Sequence, residues 1–500
     1  MKYIASNLLV FFLFISTILA QSGRTGSYII EDITMPEHLD AETGGVAFFP
    51  DGRLVACFTR GEVMTYNPET KEWKMFAEGL HEPLGLLVES NSEIIVLQRP
   101  ELTRIKDTDN DGIADRYDKI SDSFGISGNY HEFNYGPVKD KDGNYYIALN
   151  TASSGGGFRA NPRGELNLMG RDSTTGKKQM YSVVPYRGWV LKITPDGKTI
   201  PFASGFRSPN GIGFDDQENL FVTDNQSDWV ETSTFSHVQE GKFYGHPASL
   251  VWDQKMKGIN PFQLPIETLA QLRTRPAVYF PHGIMANSPA EPLYISSDQR
   301  FGPFAGQFLV GEMNHERIVR VMLEKVKGEF QGACVPFYDK KGIHFGNNRL
   351  AFAPDGSLYI GQITHGWLGA KGLQRIVYTG KTPMEIATMK VTKKGFEFTF
   401  TQPLANSNAI QKSDIALRHY YYKYQKKPFT EHIDKSNQSD IQEVEIRNVT
   451  FSKDRKKMMV QLPDLKAGYV YEFKLNGIRG KEGEVLENNL ICYTLNNLLP

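Results

Sequence analysis

The sequence predicts an all-β chain: a six-bladed β-propeller over residues 30–380, followed by an immunoglobulin-like β-sandwich over residues 385–500. Three observations predict it. Strand-like alternation dominates and helix-period segments are few, the best running from Glu267 to Arg273. A unit reading Gly-apolar-x-apolar, then a turn with Asp or Asn and Gly, then a β-rich run, recurs along the first part of the chain. Near Gly380-Lys-Thr-Pro383 that unit stops, and short alternating strands without it take over.

In chain order, residues 1–20 come first. Lys2, the apolar run Leu8 to Ile15 and the small residue Ala20 read as a secretory signal peptide, with a membrane anchor as the alternative. The expected location is therefore secreted or periplasmic. No later stretch is long and apolar enough to span a bilayer.

The repeat follows. Its copies begin at Gly45, Leu84-Gly85, Gly136, Asn210-Gly211 and Arg349, with a degenerate copy at Gly283 and Gly306. Steps such as Asp51-Gly52, Asp142-Gly143 and Asp355-Gly356 mark hairpin turns. Each copy is followed by two more strand-like runs, of which Val190 to Ile193 with Asp196-Gly197 is the clearest. Four strands in each of six units make a propeller. A two-sheet sandwich with long insertions is the alternative. Past Met389 the alternating runs, among them Gly395 to Thr401 and Tyr469 to Leu475, fit a sandwich with a covering or docking role.

Composition excludes some partners. The formal net charge is −1 with a pI near 6.8, which argues against bulk binding of nucleic acid or an anionic membrane. The three cysteines, Cys57, Cys334 and Cys492, form no C-x-x-C, which argues against attached haem and a cysteine zinc site. One disulfide is compatible with them. Phosphate-loop, G-x-S-x-G and H-E-x-x-H motifs are missing from the sequence.

Three groups of residues could carry chemistry. Asp107, Asp109, Asp111, Asp115 and Asp118 stand at positions 1, 3, 5, 9 and 12 of a loop with Gly112 at position 6. With the carbonyl of Ile113 at position 7, this is the oxygen spacing of an EF-hand-like calcium loop. A structural Ca2+ pinning a hairpin is expected; a solvated polar loop is the alternative. Second, His81, His131, Arg207, His282, His344 and Arg349 each precede an expected innermost strand. Such positions converge on one end of a propeller channel, where they would line a polar funnel; turn-capping is the alternative. Third, Asp224 to Trp229, His237 and Gly241 to Pro247, which includes His246, suit sugar recognition by stacking and directional hydrogen bonds. His365 and Trp367 could join the same rim, and a self-packed insertion is the alternative.

The segments His131-Glu-Phe-Asn-Tyr-Gly-Pro137, Gly205-Phe-Arg-Ser-Pro-Asn-Gly211, Gly241-Lys-Phe-Tyr-Gly-His-Pro247 and Arg349 to Gly356 resemble the glucose/sorbosone dehydrogenase family. They are closer still to the secreted "membrane-bound dehydrogenase"-type propeller proteins. The resemblance implies oxidation of a sugar or polyol hydroxyl by pyrroloquinoline quinone held with Ca2+, with an external electron acceptor such as a cytochrome c. By resemblance, His131 is the base and Arg207 contacts the cofactor. Asn210, Lys192 and Arg349 are further cofactor or anion contacts, and Tyr244, Gly245 and Pro247 form the loop that holds the cofactor calcium. The family often has Asp before the histidine and Asn after the arginine, where this chain has Tyr130 and Ser208. Two other readings stand beside this one. The first is a lyase or hydrolase with a metal among His131, His282 and His344; the second is a glycan- or protein-binding propeller.

Overall fold

The computed structural model describes residues 26–171, 180–226, 228–365, 369–405, 410–425 and 438–500. The expected signal peptide and Trp367 lie outside the described residues.

Five four-stranded antiparallel sheets and four strands of a sixth, larger antiparallel sheet stand in a ring. Their innermost strands are Thr43–Phe48, Leu86–Ser90, Asn134–Lys139, Pro209–Phe214, Pro289–Tyr294 and Asn347–Phe352. Each contacts the innermost strand of the next blade, and the last contacts the first. The fold is a six-bladed propeller. The ring is closed by the N-terminal strand Tyr28–Ile33, which pairs with Gly372–Tyr378 as the outermost strand of blade 6. Closure leaves no open edge at the junction of the two ends.

The repeated glycine has a steric reason. A Cβ on Gly85 would sit 1.7 Å from the carbonyl oxygen of Gly136 in the next blade, and one on Gly211 would sit 2.4 Å from that of Ala290. Inner strands approach one another too closely there for any side chain. Between blades, apolar faces interlock: Ile95, Leu97, Ile147, Leu149 and Leu191 fill the seam of blades 2 and 3. The helix expected near Glu267 is present as Ile266–Leu272, inside the long insertion of blade 4.

The chain beyond the propeller forms two β-sheets around a core that includes Phe396, Phe398, Met458, Tyr471, Phe473 and Tyr493. One sheet has four strands, Ile386–Thr392, Gly395–Phe400, Lys457–Gln461 and Asn448–Phe451. The other is continuous with blade 5. The outer strands of that blade, Arg317–Val326 and Glu329–Asp339, are long, and Glu329–Asp339 pairs antiparallel with Leu490–Leu495. The result is one eight-stranded sheet. The boundary expected at 380–385 thus falls between strands, while a hydrogen-bonded sheet runs across it. The seam is also polar. Fully buried Arg320 donates to Glu385 Oε2 at 3.0 Å and to the Ile386 carbonyl at 2.6 Å, over the Phe304 ring.

Candidate functional site

His131 lies just before the innermost strand of blade 3 and is 8% exposed. Its Nδ1 is 2.9 Å from the Thr151 carbonyl, which can only accept, so Nδ1 carries the proton. Nε2 is therefore a lone-pair acceptor, and Ser208 Oγ stands 3.3 Å from it. Arg207 Nη1 donates to Ser208 Oγ at 3.4 Å. Burial, then the Arg207 charge, push the His131 imidazole down to about 4. It is neutral at pH 7 and basic only at Nε2.

Behind this pair is a layer of carboxylates. Asp224 accepts from the backbone N–H groups of Arg207 at 3.0 Å and Ser208 at 2.7 Å, and burial raises it to about 6 despite those bonds. Asp228 Oδ1 lies 3.9 Å from Arg207 Nε, and Asp228 Oδ2 lies 3.3 Å from His246 Nε2. Burial raises the Asp228 carboxyl, but His246 and Arg207 outweigh it and hold the group below its ordinary range. His131, Arg207, Ser208, Asp224, Asp228 and His246 are all buried.

The other expected site residues divide. His365 is at the same end of the channel, its ring 4.4 Å from that of Phe133, and burial followed by the Arg349 charge lowers it to about 3. Asn210 and Arg349 are one layer deeper. Arg349 Nε donates to the Gly44 and Leu84 carbonyls, Nη1 to those of Asn210 and Asn348, and Nη2 to Leu84 again. Its guanidinium also lies 4.9 Å from the Tyr135 ring. Arg349 is thus a plug that ties inner strands of five blades together, and its donors are spent on carbonyls. Lys192 is on the third strand of blade 3 opposite Tyr146, toward the Asp140–Gly143 hairpin and away from His131. Its place on the strand, not its charge, removes it from the site.

The funnel contracts for similar reasons. His81 is exposed. His344 pairs with Asp32 at 3.7 Å, on the outer strand of blade 6, with its side chain 45% exposed. His282 is partly buried beside His315 and is lowered to about 4 by burial. Among the described residues these histidines do not gather with His131 around one point; the acidic trio Asp107, Asp109 and Asp111 is what gathers. Trp229 is 4% exposed and packs with Phe243, Leu250 and Leu269, so it offers no stacking face to a sugar.

The loop Tyr244–Pro247 is also committed. Tyr244 stacks on Phe206 and donates to the His237 carbonyl, and the Gly245 carbonyl accepts from Tyr424 at 2.7 Å. Pro247 is buried at the start of a short 3-10 helix. A tricarboxylate quinone with Ca2+ needs several unspent cations and free carbonyls in one place. Among the described residues Arg207 and Arg99 are the cations whose charge acts on His131; Arg99 is engaged with Glu82 and the Asn129, Tyr130 and Glu132 carbonyls, Arg349 is spent, Lys192 is remote and the Gly245 carbonyl is taken. These residues do not make a seat for that cofactor.

In the acidic loop, the ligand atoms of Asp107, Asp109 and Asp111 lie within 4.8 Å of one another. Asp107 is 7% exposed; its Oδ2 accepts from Gly112 N, while its buried Oδ1 has no protein partner. Asp115 is turned to Thr108, whose Oγ1 donates to it at 2.6 Å, and Asp118 to Arg116 at 2.8 Å. The expected ligand set thus narrows to its first three carboxylates. The Ile113 side chain is 55% exposed.

Sequence reasoning missed Thr151, and Ser208 in its role beside His131; it placed Asp224 and Asp228 in a sugar-recognition segment, whereas the structure sets them behind Arg207. Thr151 acts through its carbonyl, which carries no side-chain signal. Asp224 sits in the Asn210–Asp224 hairpin register opposite Pro209, and that register is the signal that could have found it.

A family model described as "Domain of unknown function (DUF7133)" matches residues 69–366. No curated protein matches the chain. Solved structures similar to it include a putative glucose dehydrogenase from Thermus thermophilus, at 15% identity over 70% of this chain and 100% of that one, with a TM-score of 0.49. A PQQ-bound aldose sugar dehydrogenase from Streptomyces coelicolor matches at 15% identity over 70% and 98%, with a TM-score of 0.46. The PQQ domain of a pyranose dehydrogenase from Coprinopsis cinerea matches at 11% identity over 70% and 95%, with a TM-score of 0.49. These are sugar dehydrogenases, the kind of protein the sequence motifs resemble. At such scores they carry no argument about substrate or cofactor.

Proposed function

The chain belongs to the DUF7133 family, and from that premise we propose that it is an oxidoreductase acting on a sugar-type hydroxyl, with His131 as the base. One observation carries the reading: the Thr151 carbonyl fixes the His131 tautomer, so a neutral imidazole presents its Nε2 lone pair beside Arg207. A substrate hydroxyl that replaces the Ser208 hydroxyl at Nε2 can pass its proton to the ring. Arg207 then stands next to the oxygen on which charge develops, in a buried setting where that charge is felt strongly. Asp224 and Asp228 hold Arg207 and Ser208 in place. The motif resemblance supplies the substrate class.

Oxidation also requires a two-electron acceptor, so the test offers several classes. The purified chain is mixed with a panel of aldoses and polyols and a redox dye, alone and with PQQ plus Ca2+, nicotinamide or flavin. Dye reduction that disappears in His131→Ala supports the reading. No reduction by any sugar with any acceptor overturns it.

We further infer a structural Ca2+ in the acidic loop, held by Asp107, Asp109, Asp111 and the Ile113 carbonyl. The buried, unpartnered Asp107 Oδ1 favours this over a solvated loop, because a bare carboxylate oxygen out of water is costly. The ion would fasten blade 2 to blade 1, since Ala114 N donates to the Phe76 carbonyl beside it at 2.7 Å.

A further inference from the structure

Two of the three cysteines face each other across the seam between propeller and C-terminal region. Cys334 lies on the outermost strand of blade 5 and Cys492 on the last strand of the chain, and the antiparallel register places them directly opposite. Opposed residues in such a pair project to the same face with Cα atoms about 4.5–5.5 Å apart, inside the range of about 4.4–6.8 Å that a disulfide accepts. Cys334 Sγ is 3.6 Å from the Cys492 carbonyl oxygen, and both residues are fully buried. The third cysteine, Cys57, is in the core of blades 1 and 2, with its Sγ 3.8 Å from the Pro83 carbonyl. Both members of the opposed pair are thiols in the structure.

We propose that Cys334 and Cys492 are a disulfide-forming pair, a covalent clasp that ties the last strand of the chain to blade 5 once the protein meets a disulfide donor. The chemistry is thiol–disulfide exchange with a small organic disulfide or the disulfide of a thiol oxidase. One cysteine thiolate attacks a donor sulfur, forming a mixed disulfide and releasing one donor thiolate. The second cysteine thiolate then attacks the protein sulfur of that mixed disulfide and expels the second donor thiolate. Two protein S–H protons are lost and one donor disulfide becomes two thiols. The native site is closed to this traffic: burial, then the neighbouring Cys334, raises the Cys492 thiol well above its ordinary value. Exchange therefore belongs to the stage before Leu490–Leu495 docks, and the finished bond is shielded from reductants.

The test is a thiol count on the full chain refolded in a mixture of oxidised and reduced glutathione. The protein is unfolded in guanidinium with iodoacetamide, weighed intact and digested. The expected result is one alkylated cysteine and a cross-linked pair of peptides containing Cys334 and Cys492. Cys334→Ser should give two alkylated cysteines and no cross-link. Should that variant fail to fold, Cys57→Ala should give no alkylated cysteine and keep the cross-link. Three alkylated cysteines in the refolded chain, or a cross-link through Cys57, would overturn the proposal.

Discussion

At the scale of single residues, His131 makes the sharpest predictions. His131→Ala should lower kcat by about 100-fold or more if proton acceptance is lost, measured by dye reduction. Because burial and Arg207 lower the ring to about 4, the base form persists in mildly acid solution. The acid limb of kcat/KM attributable to His131 should therefore lie near pH 4 rather than near 6.5. The same shift bears on stability. The folded-state value is below the unfolded one, so the unfolded chain binds the proton first. The contribution is whole above about pH 6.5 and is lost as pH falls from there toward about 4. A thermal-melt series across that window in wild type and His131→Gln should show a steeper acid loss in wild type. An acid limb near 6.5 in the kinetics would contradict the buried, neutral imidazole.

At the scale of strands and blades, the informative residues are those that hold the ring together. Arg349→Met removes donors from the carbonyls of Gly44, Leu84, Asn210 and Asn348. It should cost about 3 kcal/mol or more, since several buried acceptors lose their partner at once. Gly85→Ala forces a Cβ to within 1.7 Å of the Gly136 carbonyl oxygen. It should cost about 2–3 kcal/mol by driving two inner strands apart; chemical denaturation measures both. These two residues also show what the sequence reveals and what it hides. The Gly repeat marks the blades because its cause recurs along the ring: one inner strand touches the next at a fixed point, as at Gly85 and Gly211. The sequence pattern sets Arg349, like His131, before an inner strand and assigns both to one funnel, but in the structure Arg349 lies within its strand while His131 precedes its own. Depth along the channel separates them, and depth depends on how far each strand runs before it turns. Lys192 fails for a related reason: strand position decides which end of a blade a side chain occupies, and charge alone does not. Thr151 was invisible because any residue supplies a carbonyl.

At the scale of the whole molecule, the shared sheet decides how far the two parts can be separated. A chain cut after Tyr378 would leave Glu329–Asp339 as a long open edge and expose Val326, Ala333 and Val335, which are buried. Such an edge invites pairing with other chains, so the truncated protein should aggregate in size-exclusion chromatography while the full chain does not. The acidic loop makes a second prediction at this scale. Adding Ca2+ to metal-stripped protein should raise its melting temperature by about 3 °C or more, and Asp107→Ala should abolish the rise. The N-terminal strand has a consequence in time. Glu31 and its partner Arg375 are 344 residues apart. At about 5–20 residues per second of synthesis, the first strand made waits on the order of 20–70 s for the last blade to be supplied. During that interval residues 28–33 are an extended segment without its hydrogen-bonding partner strand.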